Sequence, residues 1–204
     1  MKLIKSSPLL LVLFCLLICG LNYVTVNANL IDTFKSIGES TAEAEYKSAI
    51  EVIGNYFIDI DTSRWTNVDN WYVKEEANEL KCFMDDKENQ ERKLGLLNIK
   101  NARLLMLKEL PYDYAEKYLP NRYMEQFSNK KVFYVAVDYK VYQENEYHIN
   151  GVNYFFVVLV LEDNKWRIAL TPLVPVNSII FDGYGFGTED EKTFDERRLK
   201  FHVN

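Results

Sequence analysis

Nucleophilic, metal and phosphate chemistry each need a definite set of residues, and in this chain each set is incomplete. Cys82 is the one cysteine beyond residue 28 and has no base near it in sequence. It reads as a half-buried small hydrophobe beside Phe83 and not as a catalytic thiol. His148 and His202 have no acids or cysteines around them at metal-ligand spacing, so both read as surface histidines and neither a zinc site nor a histidine triad is expected. Asp59, Asp61 and Ser63 begin like a calcium loop. Arg64 then stands where the loop needs glycine, and Asn70 where it needs a bidentate glutamate. The stretch Gly183-Tyr184-Gly185-Phe186-Gly187 lacks the Lys-Ser/Thr of a phosphate loop, and the acids flanking it repel phosphate. No metal and no cofactor is expected.

The compartment follows from the first 28 residues. Lys2 and Lys5 precede an unbroken apolar run over residues 9–19, and Val26-Asn27-Ala28 offers a cleavage site. This is the layout of a secretory signal peptide. An anchor over residues 9–26 is the alternative, but Asn22 and Thr25 dilute its second half. Ile18 fills the small-residue position before Cys19, which argues against lipidation. N-terminal sequencing of the exported protein is expected to start at Asn29; a membrane-bound product that still begins at Met1 would contradict this.

Cleavage removes two lysines and no acid, so the net charge moves from −6 to −8. Such a domain repels nucleic acid and anionic lipid, and any membrane contact would come through an uncleaved signal segment. Cys15 and Cys19 leave with the segment, so no disulfide within the chain can form and the core must hold unaided.

The elements are legible from periodicity. Residues 29–40 read as a linker and residues 41–174 as one domain. A helix is expected over 41–59, capped by Thr41, because Ala49, Ile50, Ile53, Tyr56, Phe57 and Ile60 recur at three- and four-residue intervals. A second helical piece carries Trp65, Val68, Trp71 and Tyr72, and a charged third helix is expected over 82–94, broken by Gly95. Strands follow at 101–110, 131–143, 152–162 and 165–174. The second alternates as a half-buried strand would, with Asp138, Lys140 and Tyr142 on a wet face opposite Val135, Val137 and Val141. Asn150-Gly151 reads as a type I′ hairpin, and Asp163-Asn164 as the next turn. Helices followed by an antiparallel meander make an α+β domain, with the helical layer on one face of a curved sheet. Residues 175–204 form a C-terminal extension of Gly/aromatic loop and short helix, with Thr188 and Glu191 spaced as a capping box.

The first helix ending in NYFIDID, the segment RWTNVDNWY and the strand pair VNYFFVVLVLEDNKWRIAL resemble the cone-shaped, cystatin-like α+β superfamily of nuclear transport factor and ketosteroid isomerase. The resemblance covers residues 41–172 and rests mostly on packing residues. The last strands and the tail DGYGFGTEDEKT also resemble secreted proteins of spore-forming Gram-positive bacteria, which implies a role at the cell envelope.

An enzyme of that superfamily would need a carboxylate base facing a proton donor inside the cone. Tyr56, Asp138 and Tyr139, with Tyr142 as a further donor, are the positions this implies. The alternation that turns Asp138 outward argues against the isomerase- or dehydratase-like reading. The reading preferred is a non-enzymatic secreted or envelope-associated binding domain, whose partner is a protein, a peptide or a wall component. Its candidate contacts are Phe181, Tyr184 and Phe186, which together with Ile179 and Ile180 put five large apolar side chains into eight residues.

Overall fold

The computed structural model describes residues 43–201. The chain divides into two compact units between Lys47 and Ser48; of the first, residues 43–47 are described and are helical, and the second holds every other element. The expected signal segment, the 29–40 linker, the Thr41 cap and His202 lie outside the described residues.

Helix α1 spans 43–61. From Ser48 on it buries Ala49, Ile53, Tyr56, Phe57 and Ile60, one stripe at helical spacing. It ends in a Schellman turn. Ser63 takes the left-handed conformation at φ 54°, its N–H donates to Ile60 O at 3.0 Å, and Arg64 N–H donates to Asp59 O at 2.8 Å. The calcium-like acids are spent on structure here. Asp59, 3% exposed, accepts from the Trp71 indole at 2.6 Å and pairs with Arg64 at 2.8 Å. Asp61 accepts from Ala102 N–H at 2.9 Å.

Helix α2 (Trp65–Val68) and a 3-10 turn lead to α3 (Lys74–Asp85) and α4 (Lys87–Arg92). The charged helix expected over 82–94 thus begins earlier and breaks at Asp86, whose extended backbone ends α3 and whose carboxylate caps α4 through Asn89 N–H at 2.9 Å. Cys82 is exposed, not half-buried, because it lies on the wet side of α3.

Four strands, β1 (Ile99–Leu110), β2 (Lys130–Val141), β3 (Gly151–Glu162) and β4 (Lys165–Leu170), pair antiparallel in chain order into a curved, unclosed sheet. The fold is α+β. Short helices α5 (Tyr112–Ala115) and α6 (Asn121–Met124) lie between β1 and β2, and α7 (Val176–Phe181) and α8 (Glu189–Leu199) follow β4.

Two expectations about the sheet are corrected. The second strand is not half-buried. Phe133, Val135, Val137 and Tyr139 pack with α1 and with Phe155, Val157, Leu159, Trp166 and Ile168 on one face. Val132, Tyr134 and Ala136 pack on the other face with Tyr154, Phe156, Val158, Ile179 and Phe194, so helices cover both faces. Ile53, Phe57, Val135, Val137, Phe156, Val158, Val160, Trp166 and Ile168, all expected in the core from their faces, are buried, whereas Trp71, expected there too, is half-buried, its indole reaching Asp59.

The second correction concerns Asn150-Gly151, which is not a two-residue hairpin. Buried Asn98 captures the chain just past β2: its amide donates to Gln143 O at 2.7 Å, its side-chain oxygen accepts from Gln143 N–H at 2.9 Å, and its carbonyl accepts from Tyr142 N–H at 2.9 Å. That diversion opens a loop over residues 142–150. The tight I′ geometry occurs instead at Asp163-Asn164, with φ 49° and 59°.

The tail closes the second face through one side chain. Thr188 caps α8, accepting from Glu191 N–H at 3.2 Å, but the Glu191 carboxylate does not reach back to the cap. Fully buried, it accepts from Tyr134 O–H at 2.9 Å, Phe186 N–H at 3.0 Å and Gly187 N–H at 2.8 Å. Gly185 makes room for it: a Cβ there would stand 3.0 Å from Glu191 Oε1 and 3.0 Å from Ile180 Cγ1. Phe186 then stacks on Tyr134 with ring centroids 4.9 Å apart.

Candidate functional site

A recess of about 390 Å³ opens on the α1 side of the sheet. Its walls come from six parts of the chain. Tyr56 enters from α1, Tyr139 and Phe155 from β2 and β3, Leu96 from the turn before β1, Thr171 and Leu173 from the segment after β4, and Asn145, Tyr147 and His148 from the 142–150 loop.

The loop is rigidly built. Asn145 Oδ1 accepts from Tyr147 and His148 N–H, each at 2.9 Å, and Asn145 N–H donates to His148 O at 3.0 Å. Asn150 accepts from Val141 N–H at 3.1 Å, while its own N–H donates to Glu144 Oε1 at 2.9 Å. Asn153, buried on β3, bonds both the N–H and the carbonyl of Ile149. His148 is thereby fixed edge-on to Tyr139, with centroids 5.7 Å apart and planes at 75°.

This corrects the reading of His148 as a surface residue: it is half-buried and its Nδ1 is buried without a partner among the described residues. Burial pushes its pKa down to about 4, so the imidazole is neutral around pH 7. A buried N–H left unpaired is rarer than an unpaired acceptor, which puts the proton on Nε2.

The phenols are held neutral as well. Burial raises Tyr56 well above its ordinary value, and raises Tyr72 and Tyr139. The Tyr56 and Tyr72 hydroxyls pair at 3.0 Å. Tyr139 stacks on Phe155 with centroids 6.2 Å apart and planes at 24°.

Of the positions marked for acid–base chemistry, the structure brings Tyr56 and Tyr139 together in the recess and leaves Asp138 outside it. Asp138 lies on the other face of β2, paired with Arg103 at 3.0 Å across the β1–β2 ladder. No acid is among the described residues lining the recess. Tyr142 is 54% exposed beyond the end of β2, with the Lys93 and Lys100 ammonium groups over its ring.

The candidate contacts of the tail divide. Tyr184 packs on Tyr114 at 4.1 Å and Phe186 on Tyr134, while Phe181 at the end of α7 is 90% exposed. Lys108 holds the strap by donating to the Tyr184 and Gly185 carbonyls at 3.0 and 2.9 Å.

A larger recess of about 550 Å³ lies by α2, α3 and α4. Asp69, Lys81, Asp85 and Lys93 line it, four charges of both signs that form no ion pair with one another among the described residues; three of them are exposed. Trp65, Met84 and Leu97 line it as well, and Asp69 Oδ1 is buried there without a partner among the described residues; the smaller recess is walled mainly by rings and carries no charge. Among the described residues no group of three or more His, Cys, Asp or Glu side chains could hold a metal ion, and no helix is long and apolar enough to cross a membrane.

Sequence reasoning missed Tyr72, Thr171 and His148 as parts of the site. Tyr72 was placed on the apolar face of its helix, which was a usable signal; the other two depend on loop paths that no periodicity encodes. Comparison with family models, curated proteins and solved structures finds no match.

Proposed function

We propose that this chain is a non-enzymatic, exported binding domain of the cone-shaped α+β type, and that it holds a small molecule in the recess between α1 and the sheet. The observation that carries this reading is the recess itself: about 390 Å³, within the range of small-molecule sites, with aromatic walls and a prefixed loop. The acid that isomerase-type chemistry would need is on the opposite face, engaged by Arg103. Export through the segment over residues 1–28 would place the domain at the cell envelope, where the Phe181 side of the tail is available to a protein or wall partner.

The test is a thermal-shift screen of neutral and charged fragments against the protein and against Leu96→Trp, which fills the recess from a half-buried wall position. Fragments that raise the melting temperature of the wild type are expected to lose that effect in the variant. Hits that act equally on both proteins would place binding elsewhere.

A further inference from the structure

The chemistry of the walls restricts what the recess can hold, on the reading that it is a ligand site. The described residues lining it include no lysine, arginine, aspartate or glutamate. A charged ligand would therefore give up its hydration without meeting a counter-charge, which a single hydrogen bond does not offset. Aromatic walls can take a cation when ring faces are open to it. Here Tyr139 stacks with Phe155 and has His148 edge-on, and Tyr56 packs edge-to-face with Phe57 and Tyr72, which leaves Tyr147, 60% exposed, as the wall tyrosine with no ring partner among the described residues.

The polar groups also differ in availability. The Tyr56 and Tyr72 hydroxyls are bonded to each other. Tyr139 is 4% exposed, lines the recess, and makes no hydrogen bond among the described residues. Among the described residues that hydroxyl has no acceptor to donate to, on a side chain that forms part of the recess wall.

We propose that the recess selects an uncharged, ring-bearing molecule with a hydrogen-bond acceptor, and that Tyr139 is the residue that donates to that acceptor. The ring lies among Leu96, Phe155 and Leu173, and the acceptor meets the Tyr139 hydroxyl. The neutral His148 beside it keeps the site free of charge.

Four probes that share one ring test this: acetophenone, ethylbenzene, benzoate and benzylammonium, each titrated into the protein at pH 7 and followed by NMR shifts of the recess residues. Acetophenone is expected to bind at least tenfold more tightly than either charged probe. Tyr139→Phe is expected to weaken acetophenone by about three- to tenfold, the range of one net hydrogen bond, and to leave ethylbenzene unchanged. The ethylbenzene result doubles as the check that the variant keeps its recess. Benzoate or benzylammonium binding as tightly as acetophenone would overturn the proposal, as would a Tyr139→Phe protein that binds acetophenone like the wild type. If none of the four shifts a recess residue, the reading of the recess as a ligand site fails, a separate result from a wrong ligand class.

Discussion

Glu191→Ala is expected to destabilise the protein by about 2–4 kcal/mol, since it strands one donor in the interior at roughly 1–3 kcal/mol and unpairs two more that are only partly buried and can turn to water. Those donors are Tyr134 O–H and the N–H groups of Phe186 and Gly187. Glu191→Gln keeps the shape but must turn an amide N–H₂ toward at least one of these donors, so it should fall between alanine and the wild type. Equilibrium denaturation measures the loss, and limited proteolysis locates it: new cleavage is expected in the strap over 183–188 before the sheet opens. A loss below about 1 kcal/mol for alanine would mean that water reaches the donors and that the strap is held by its aromatic contacts instead.

The second large effect belongs to the opposite layer. Phe57 is 1% exposed and meets Phe155 edge-to-face at 6.1 Å, and Trp166 is 7% exposed in the same cluster. Truncating either to alanine is expected to lower stability by about 3–5 kcal/mol, the usual range for a large buried aromatic. Calorimetric or denaturant unfolding of the two single variants checks it; losses under about 1 kcal/mol at both positions would mean that the α1 face is not the packed one.

Why some of this was legible in the sequence, and some not, can be traced to particular side chains. The helix stripe of Ile53, Tyr56 and Phe57 and the turn at Asp163-Asn164 are local: spacing and left-handed backbone preference decide them, and both are found. The side of the second strand expected to be wet carries Asp138, Lys140 and Tyr142 at one end but Tyr134 at the other, and Tyr134 is what overturns that expectation. In an alternation count a tyrosine passes for polar, but this one buries its ring and takes Glu191 as a partner 57 residues away. The nearly unbroken apolar run of β3 was the better signal, because a strand covered on both sides has no wet face to alternate with. Asn150-Gly151 failed as a hairpin signal because Asn98, 45 residues before Gln143, satisfies the chain's peptide groups at the end of β2. The site shows the same division. Tyr56 and Tyr139 could be placed by facing alone, whereas His148 is set by side-chain bonds of Asn145, Asn150 and Asn153 that period counting does not detect.

The order of the elements along the chain also bears on how the protein comes to be folded. The meander and α1 are complete once residue 170 has been made, and neighbouring hairpins can pair without waiting for distant sequence. Its second face then still shows Tyr134, Tyr154 and Phe156 to water, because α7, Glu191 and Phe194 have not yet been synthesised. For that interval the nascent chain carries an uncovered, aromatic-rich sheet. The segment over residues 176–199 therefore decides whether that face is covered, and a chain released before that segment is made would leave the aromatic side of its sheet open to its neighbours.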